Sequence, residues 1–225
     1  MTVPLLPAAV LWDLDGTLVD TEPAWFAAET RLVERFGGTW SHEQAMTLVG
    51  NGLRDSAVVL QQHGVRLGVD EIVDIQTDDV VATLGEHVPW RPGALALLAT
   101  IRDAGVPTAL VTMSVRRMAE AVAAAVPFGA FDVIVSGSDV ERPKPHPAPY
   151  LQAAELLGVR IGDCVAIEDS PPGLASAVAS GAATVAVPHM VGLPEGERWR
   201  LWPTLEGRGL EDLAAVAAEL DGQRA

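Results

Sequence analysis

The sequence predicts an α/β fold: a parallel sheet covered by helices on both faces, with an all-helical segment inserted after the first strand. From Arg91-Pro92-Gly93 onward, short apolar runs alternate with amphipathic stretches at helical spacing. That is the pattern of strands buried on both sides by crossover helices. The first apolar run, Ala8-Ala9-Val10-Leu11-Trp12, stands apart from this alternation. It is cut off by a stretch from Glu22 to about Val88 that shows helical spacing and no convincing strand. A strand separated from its sheet in this way predicts two units, a core of residues 1–19 and 89–225 and a cap of residues 20–88.

Each element has its own justification. Ala8 to Trp12 reads as a buried strand because the apolar run stops abruptly at Asp13-Leu14-Asp15-Gly16-Thr17. In the insert, Trp25, Ala28, Leu32 and Phe36 recur on one helical face, as do Leu53, Ala57, Leu60 and Gln61. Ala94 to Ala104 then reads as helix, Thr108 to Thr112 as strand, Val115 to Val126 as helix and Asp132 to Ser136 as strand. Pro147 to Leu157 is a helix and Asp163 to Ile167 a strand; Pro172 to Ser180 and Ala183 to Val187 repeat the pair. Leu210 to Leu220 is a terminal helix. No internal repeat or low-complexity segment interrupts the series.

Composition narrows the function. The chain has 225 residues, is 49% hydrophobic and carries a formal net charge of −15. So acidic a chain argues against nucleic acid or an anionic membrane surface as partner, since both call for basic patches. It leaves room for an anionic small substrate, because a metal ion and a few local cations can dominate a closed pocket. No apolar run approaches the ~20 residues of a membrane helix. The opening Met1 to Pro7 has no basic n-region and no long apolar stretch, so no secretory leader is expected. Cys164, the single cysteine, reads as a small buried strand residue. A cytoplasmic protein, monomeric by default, fits these features.

In parallel α/β sheets, ligands bind beyond the carboxyl ends of the strands. Those ends carry a distinctive set: Asp13 and Asp15 after the first strand, Thr112 after the second, Lys144 in the loop after the third, and Glu168 and Asp169 after the fourth. Lys144 is the only lysine of the chain. An isolated acid at such a place is usually a turn or helix-cap residue. Several acids on one edge repel each other unless a cation joins them, and an oxygen-only ligand set suits Mg²⁺. Asp13 and Asp15, two residues apart at an extended end, point the same way. One can attack phosphorus while the other handles a proton. Mg²⁺ and Lys144 would offset charge on the transferring group, and Thr112 would donate a hydrogen bond to it.

In this order, Asp13-Leu14-Asp15-Gly16-Thr17, Thr112, Lys144-Pro145 and Glu168-Asp169-Ser170 resemble the four motifs of the haloacid dehalogenase-like superfamily. The insert resembles the helical cap of its β-phosphoglucomutase and phosphoglycolate-phosphatase branch, and the likeness spans almost the whole chain. The resemblance implies a Rossmann-like parallel sheet core with an inserted α-helical cap domain. It implies an aspartyl-phosphate on Asp13, with Asp15 first protonating the leaving oxygen and then activating water. Thr112 and Lys144 would hold the phosphoryl oxygens. The metal would take Asp13, the backbone carbonyl of Asp15 and Asp169, with Glu168 a further ligand or one shell out. Gly16 and Thr17 would begin the flexible exit that lets the cap move.

Asp15 favours phosphoryl chemistry, because dehalogenases of this type lack that second acid. A cap without lysine excludes the phosphonatase pattern. Sugar phosphomutases carry a hinge histidine where this chain has Trp25, together with cap cations to hold a second phosphate. Here only Arg54, in Gly50-Asn51-Gly52-Leu53-Arg54-Asp55, is placed by sequence to do so. Asn51 and Arg54 are thus candidate substrate contacts, although Gly50-Asn51-Gly52 also reads as a plain turn into a helix. Trp25 reads first as core packing. Met113 stands where an asparagine is frequent in this branch, and only its backbone N–H could reach phosphate. His146 is expected to face solvent or its own loop; His42, His63, His87 and His189 lack metal-ligand grouping. The expected function is a Mg²⁺-dependent phosphatase for a small phosphorylated metabolite. A sugar phosphomutase is the nearest alternative, and a receiver-like or non-catalytic phosphate-binding protein the next.

Overall fold

A computed structural model describes residues 5–85 and 87–221. The outermost residues of the expected core, 1–4 and 222–225, lie outside the described residues, with the first part of the stretch read for a leader; so does Glu86 of the expected cap. The chain runs β1 (Ala9–Trp12), α1 (Glu22–Arg35), α2 (His42–Met46), α3 (Leu53–Gln62), α4 (Val69–Leu84) and α5 (Ala94–Asp103). It continues β2 (Thr108–Val111), α6 (Arg116–Ala125), β3 (Val133–Val135), α7 (Ala148–Leu157), β4 (Cys164–Glu168) and α8 (Pro171–Ser180). β5 (Ala183–Ala186), β6 (Trp199–Leu201) and α9 (Leu210–Asp221) follow. Among the described residues, no helix is long and apolar enough to cross a membrane.

All the strands join one parallel sheet in the order β3-β2-β1-β4-β5-β6. This is the expected α/β, Rossmann-like class. Strand alternation explains why the strands read as continuous apolar runs. Val10 and Trp12 of β1 enter one core cluster, while Ala9 and Leu11 enter the other. Val165 and Ile167 of β4 divide from Cys164 and Ala166 in the same way. Leu97, Met118 and Leu213 of α5, α6 and α9 cover the first face, and Tyr150, Ala153 and Ala177 of α7 and α8 the second. With both faces buried, period-two alternation survives in the packing but vanishes from the hydropathy pattern.

β6 is missing from the sequence-based expectation. Trp199-Arg200-Leu201 is half-buried throughout, at the sheet edge, and its central arginine pairs with Glu219 at 2.5 Å. A short edge strand with a charge at its centre breaks up the apolar signal.

The helices between β1 and α5 have a cluster of their own, including Leu32, Val33, Trp40, Leu60 and Ile72. The ends of α1 and α4 nearest the sheet, through Ala24, Trp25, Ala28, Val80 and Leu84, instead belong to the main core. The two chain crossings run side by side. Val19 bridges Trp90 in antiparallel sense, the Asp20 N–H donates to the Pro89 carbonyl at 2.8 Å, and the Arg91 N–H donates to the Leu18 carbonyl at 2.9 Å. The chain therefore leaves and re-enters the sheet through one paired crossing, a few residues beyond the acidic end of β1.

Candidate active site

The chain's order on the sheet reverses at β1, with β2 on one side and β4 on the other, which opens a crevice at their carboxyl ends. The Asp13 N–H donates to the Ile167 carbonyl at 3.1 Å and extends the β1–β4 ladder to the rim of that crevice. The Thr112 N–H bonds the Val135 carbonyl at 2.9 Å and does the same for β2. The strand register thus delivers Asp13, Thr112, Glu168 and Asp169 to one edge.

Lys144 reaches this edge from the loop after β3. Its ammonium lies 2.6 Å from Asp13 Oδ1, 2.6 Å from Glu168 Oε1 and 2.9 Å from the Val111 carbonyl. Burial pulls the lysine toward neutrality, but the two carboxylates outweigh it and hold its pKa above the ordinary value. The Tyr150 hydroxyl donates to the same Glu168 oxygen at 2.5 Å. Burial, then the charge of Glu168, keeps Tyr150 protonated as that donor.

Asp13, Glu168 and Asp169 are buried, and one oxygen from each lies within 4.8 Å of the others. Burial and then the Glu168 charge raise Asp13 to about 7, with Lys144 opposing. Asp169 is raised well above its ordinary value by burial, then by Asp13 and Glu168. Lys144 does not balance the group, so the cluster presents oxygen-only ligands with uncompensated negative charge. Those are the terms on which a hard divalent cation such as Mg²⁺ binds. The three acids are unequally engaged: Lys144 and Tyr150 both take up one oxygen of Glu168, Lys144 alone takes up one of Asp13, and neither takes up Asp169.

Two glycines are required by these acids. Gly16 has φ +82°, and a Cβ there would lie 2.0 Å from Asp169 Oδ2. A Cβ at Gly173, in the first turn of α8, would lie 2.0 Å from Glu168 Oε2.

The Asp15 side chain points away from the three-acid group. Its Oδ1 accepts from the Thr21 hydroxyl at 2.7 Å and from Trp25 Nε1 at 3.1 Å. Its Oδ2 accepts from the hydroxyls of Thr112 at 3.2 Å and Ser114 at 2.7 Å. Three of these partners are hydroxyls, which can rotate from donor to acceptor; only the indole must donate. Asp15 therefore has three partners able to serve it either as donors or as acceptors. Asp13 and Asp15, close in sequence, are thus held in different environments, one among anions and a lysine, the other among hydroxyls.

Asp13, Asp15, Thr112, Met113, Lys144, Asp169 and Asn51 all line one pocket between the sheet edge and the inserted helices. Met113 also receives the Lys144 backbone N–H on its sulfur at 3.3 Å. Arg54 is not brought there. It is largely exposed, pairs with Asp70, and faces a neighbouring groove; Leu53 lines the pocket in its stead. Gly50, φ +79°, brings the insert against the loop after β4, where a Cβ would lie 3.0 Å from that of Ser170.

Sequence reasoning missed the partners of Asp15 (Thr21, Trp25, Ser114), the partner of Glu168 (Tyr150), and two acids of the insert wall. Glu22 and Glu29 are buried and line the pocket. Burial, then Asp15 and Glu29, raises Glu22 to about 8. Burial raises Glu29 to about 7, against a hydrogen bond from Trp40 Nε1 at 2.9 Å. A usable signal was present: Thr21 and Trp25 are one helical turn apart just after Asp15, and Tyr150 is the chain's single tyrosine. The histidines show no such involvement. His146 Nδ1 accepts the Ala148 N–H at 3.1 Å within its own loop, and His189 bonds Asp20 at the crossing at 2.7 Å.

Comparison with known proteins places this geometry. A family model described as haloacid dehalogenase-like hydrolase matches residues 7–181. Hexitol phosphatase A of Escherichia coli (strain K12) is 35% identical over 79% of this chain and 81% of its own length. Protein CbbY of Rhodobacter capsulatus is 32% identical over 80% of this chain and 85% of its own. A crystal structure of CbbY from Rhodobacter sphaeroides in complex with xylulose-(1,5)bisphosphate superposes with a TM-score of 0.84. It is 28% identical and covers 92% of this chain and 99% of the other.

Proposed function

The chain belongs to the haloacid dehalogenase-like hydrolases and is a phosphoric monoester hydrolase, and from that premise we propose that it releases phosphate from a small phosphorylated sugar through a covalent intermediate on Asp13. The observation that carries this reading is the pairing of Asp13 with the Lys144 ammonium at 2.6 Å, beside a second acid, Asp15, held by hydroxyls.

Asp13 attacks phosphorus and forms an acyl phosphate as the ester oxygen departs. Asp15, protonated, gives its proton to that oxygen, and the hydroxyls of Thr21 and Ser114 turn to follow the change. In the second half, ionised Asp15 takes a proton from water as the water attacks phosphorus, and Asp13 is freed as carboxylate. Lys144 and the Thr112 hydroxyl hold the phosphoryl oxygens. Asp13, Asp169 and the Asp15 backbone carbonyl would hold Mg²⁺, with Glu168 outside them, fixed by Lys144 and Tyr150. Bound there, the metal supplies charge neutralisation for the transferring group. Residues 20–88 act as a cap that opens on the paired crossing to admit substrate and closes to exclude water.

The relatives named for hexitol phosphates point to a phosphorylated sugar or sugar alcohol. Nothing at Arg54 supports a second phosphate site of the kind a mutase needs, since that side chain pairs with Asp70. The test is phosphate release from sugar phosphates, phosphoglycolate, nucleotides and p-nitrophenyl phosphate, with Mg²⁺ and then with EDTA. Release that EDTA abolishes, and that Asp13→Asn abolishes with the circular dichroism unchanged, is expected. Substantial turnover by that variant would rule Asp13 out as the nucleophile.

A further inference from the structure

The cationic chemistry of the pocket is spent at its phosphoryl end. Lys144 is the one cationic side chain among the residues lining it, and it lies between Asp13 and Glu168. The wall where the leaving group must sit is different in kind. Glu22, Trp25, Phe26 and Glu29 of α1 line it, spaced as one helical stripe. Glu22 and Glu29 are 6% and 5% exposed, and Trp40 holds one oxygen of Glu29 in place. Asn51, Leu53 and Ser56 line the same pocket, while Arg54 is turned out to Asp70.

We propose that Glu22 and Glu29 set the charge specificity of this pocket, admitting a leaving group that is uncharged and rich in hydroxyls and rejecting one that carries a carboxylate or a second phosphate. The inference rests on the phosphatase reading of the same site. A hydroxyl can donate to a carboxylate oxygen or exchange hydrogen bonds with Asn51 and Ser56. A second anion would be desolvated against this wall with no cation to offset it, and each glutamate that ionises adds a like-charge repulsion of several kcal/mol. Ionised or protonated, neither glutamate offers a positive charge. Specificity of this kind comes from repulsion of the wrong partner as much as from attraction of the right one.

The experiment compares kcat/KM within matched pairs on the Mg²⁺-loaded enzyme. One pair is a hexitol phosphate and the phosphorylated aldonic acid of the same skeleton; the other is a hexose monophosphate and its bisphosphate. p-Nitrophenyl phosphate serves as reference. The anionic member of each pair is expected to be worse by about thirtyfold or more, the scale of one uncompensated charge. Glu29→Gln, which keeps an acceptor for Trp40, is expected to narrow the ratio by about fivefold, mainly through KM of the anionic member. Kcat/KM values within threefold of each other, or a ratio unmoved by Glu29→Gln, would overturn the inference while leaving the phosphatase reading intact. So would turnover of p-nitrophenyl phosphate with neither member of a pair hydrolysed. Silence toward every substrate by the folded, metal-loaded enzyme would remove the phosphatase reading and this inference with it.

Discussion

Replacing Lys144 by alanine would leave Asp13 and Glu168 facing each other in a buried space with no cation between them. Breaking a buried pair in this way costs ~3–5 kcal/mol of stability. Loss of an electrostatic donor to the transition state costs a further ~2–4 kcal/mol of activation. Lys144→Ala should therefore lower kcat/KM by roughly two orders of magnitude and also lower Tm, and a loss below tenfold would make the lysine merely structural. Glu29 makes a pH prediction. Its folded pKa, about 7, lies above its ordinary value of 4.5. Its contribution to stability is whole below that ordinary value and is lost as pH rises through about 7. Glutamine cannot ionise, so the Tm of the wild type relative to Glu29→Gln should fall between pH 5 and 8; a flat difference would contradict the assignment.

At the scale of elements, the first turn of α8 is a tightly constrained segment of the site. Its N-cap Ser170 accepts the Gly173 N–H at 3.3 Å, and Gly173 packs directly on Glu168. Glu168 cannot swing aside, because Lys144 and Tyr150 hold it from the other side. Gly173→Ala should cost ~1–3 kcal/mol by overpacking, visible as a lower urea midpoint with little change in slope. A neutral result would mean that α8 can shift as a body. The strand ends themselves were legible: Asp13, Thr112, Glu168 and Asp169 were each expected where a run of apolar residues stopped. β6 was not, because half-burial and Arg200 interrupt its apolar signal.

For the whole molecule, the buried acids are a cost that a divalent ion relieves. An ion that binds only the folded state at a hundred times its Kd adds ~2.7 kcal/mol to stability. Mg²⁺ should raise Tm and EDTA should reverse the rise, with a much smaller effect on Asp169→Asn. An equal rise in that variant would place the ion elsewhere. The paired crossing at Val19 and Trp90 joins the cap to the sheet a few residues beyond Asp13 and Asp15. Thr21 and Trp25, the partners offered to Asp15, begin the first helix beyond that crossing, so cap motion of the kind proposed would carry them relative to the sheet.

The sequence alone determined the α/β class, the parallel sheet and the acids and hydroxyl of its carboxyl edge, because all of these depend on local periodicity and on where it stops; the lysine was legible as the only one in the chain, in the loop after the third strand. It determined as well that the insert is helical. Only the tertiary structure decided which neighbours each carboxylate meets. Trp25, read first as core packing, is both buried in the core and a donor to Asp15. Arg54 and Leu53 are adjacent in the chain, yet the arginine pairs with Asp70 outside the pocket and the leucine lines it. Successive residues on a helix point about 100° apart, so a motif can name a segment, while the rotation of that helix against the sheet selects the side chain that enters the site.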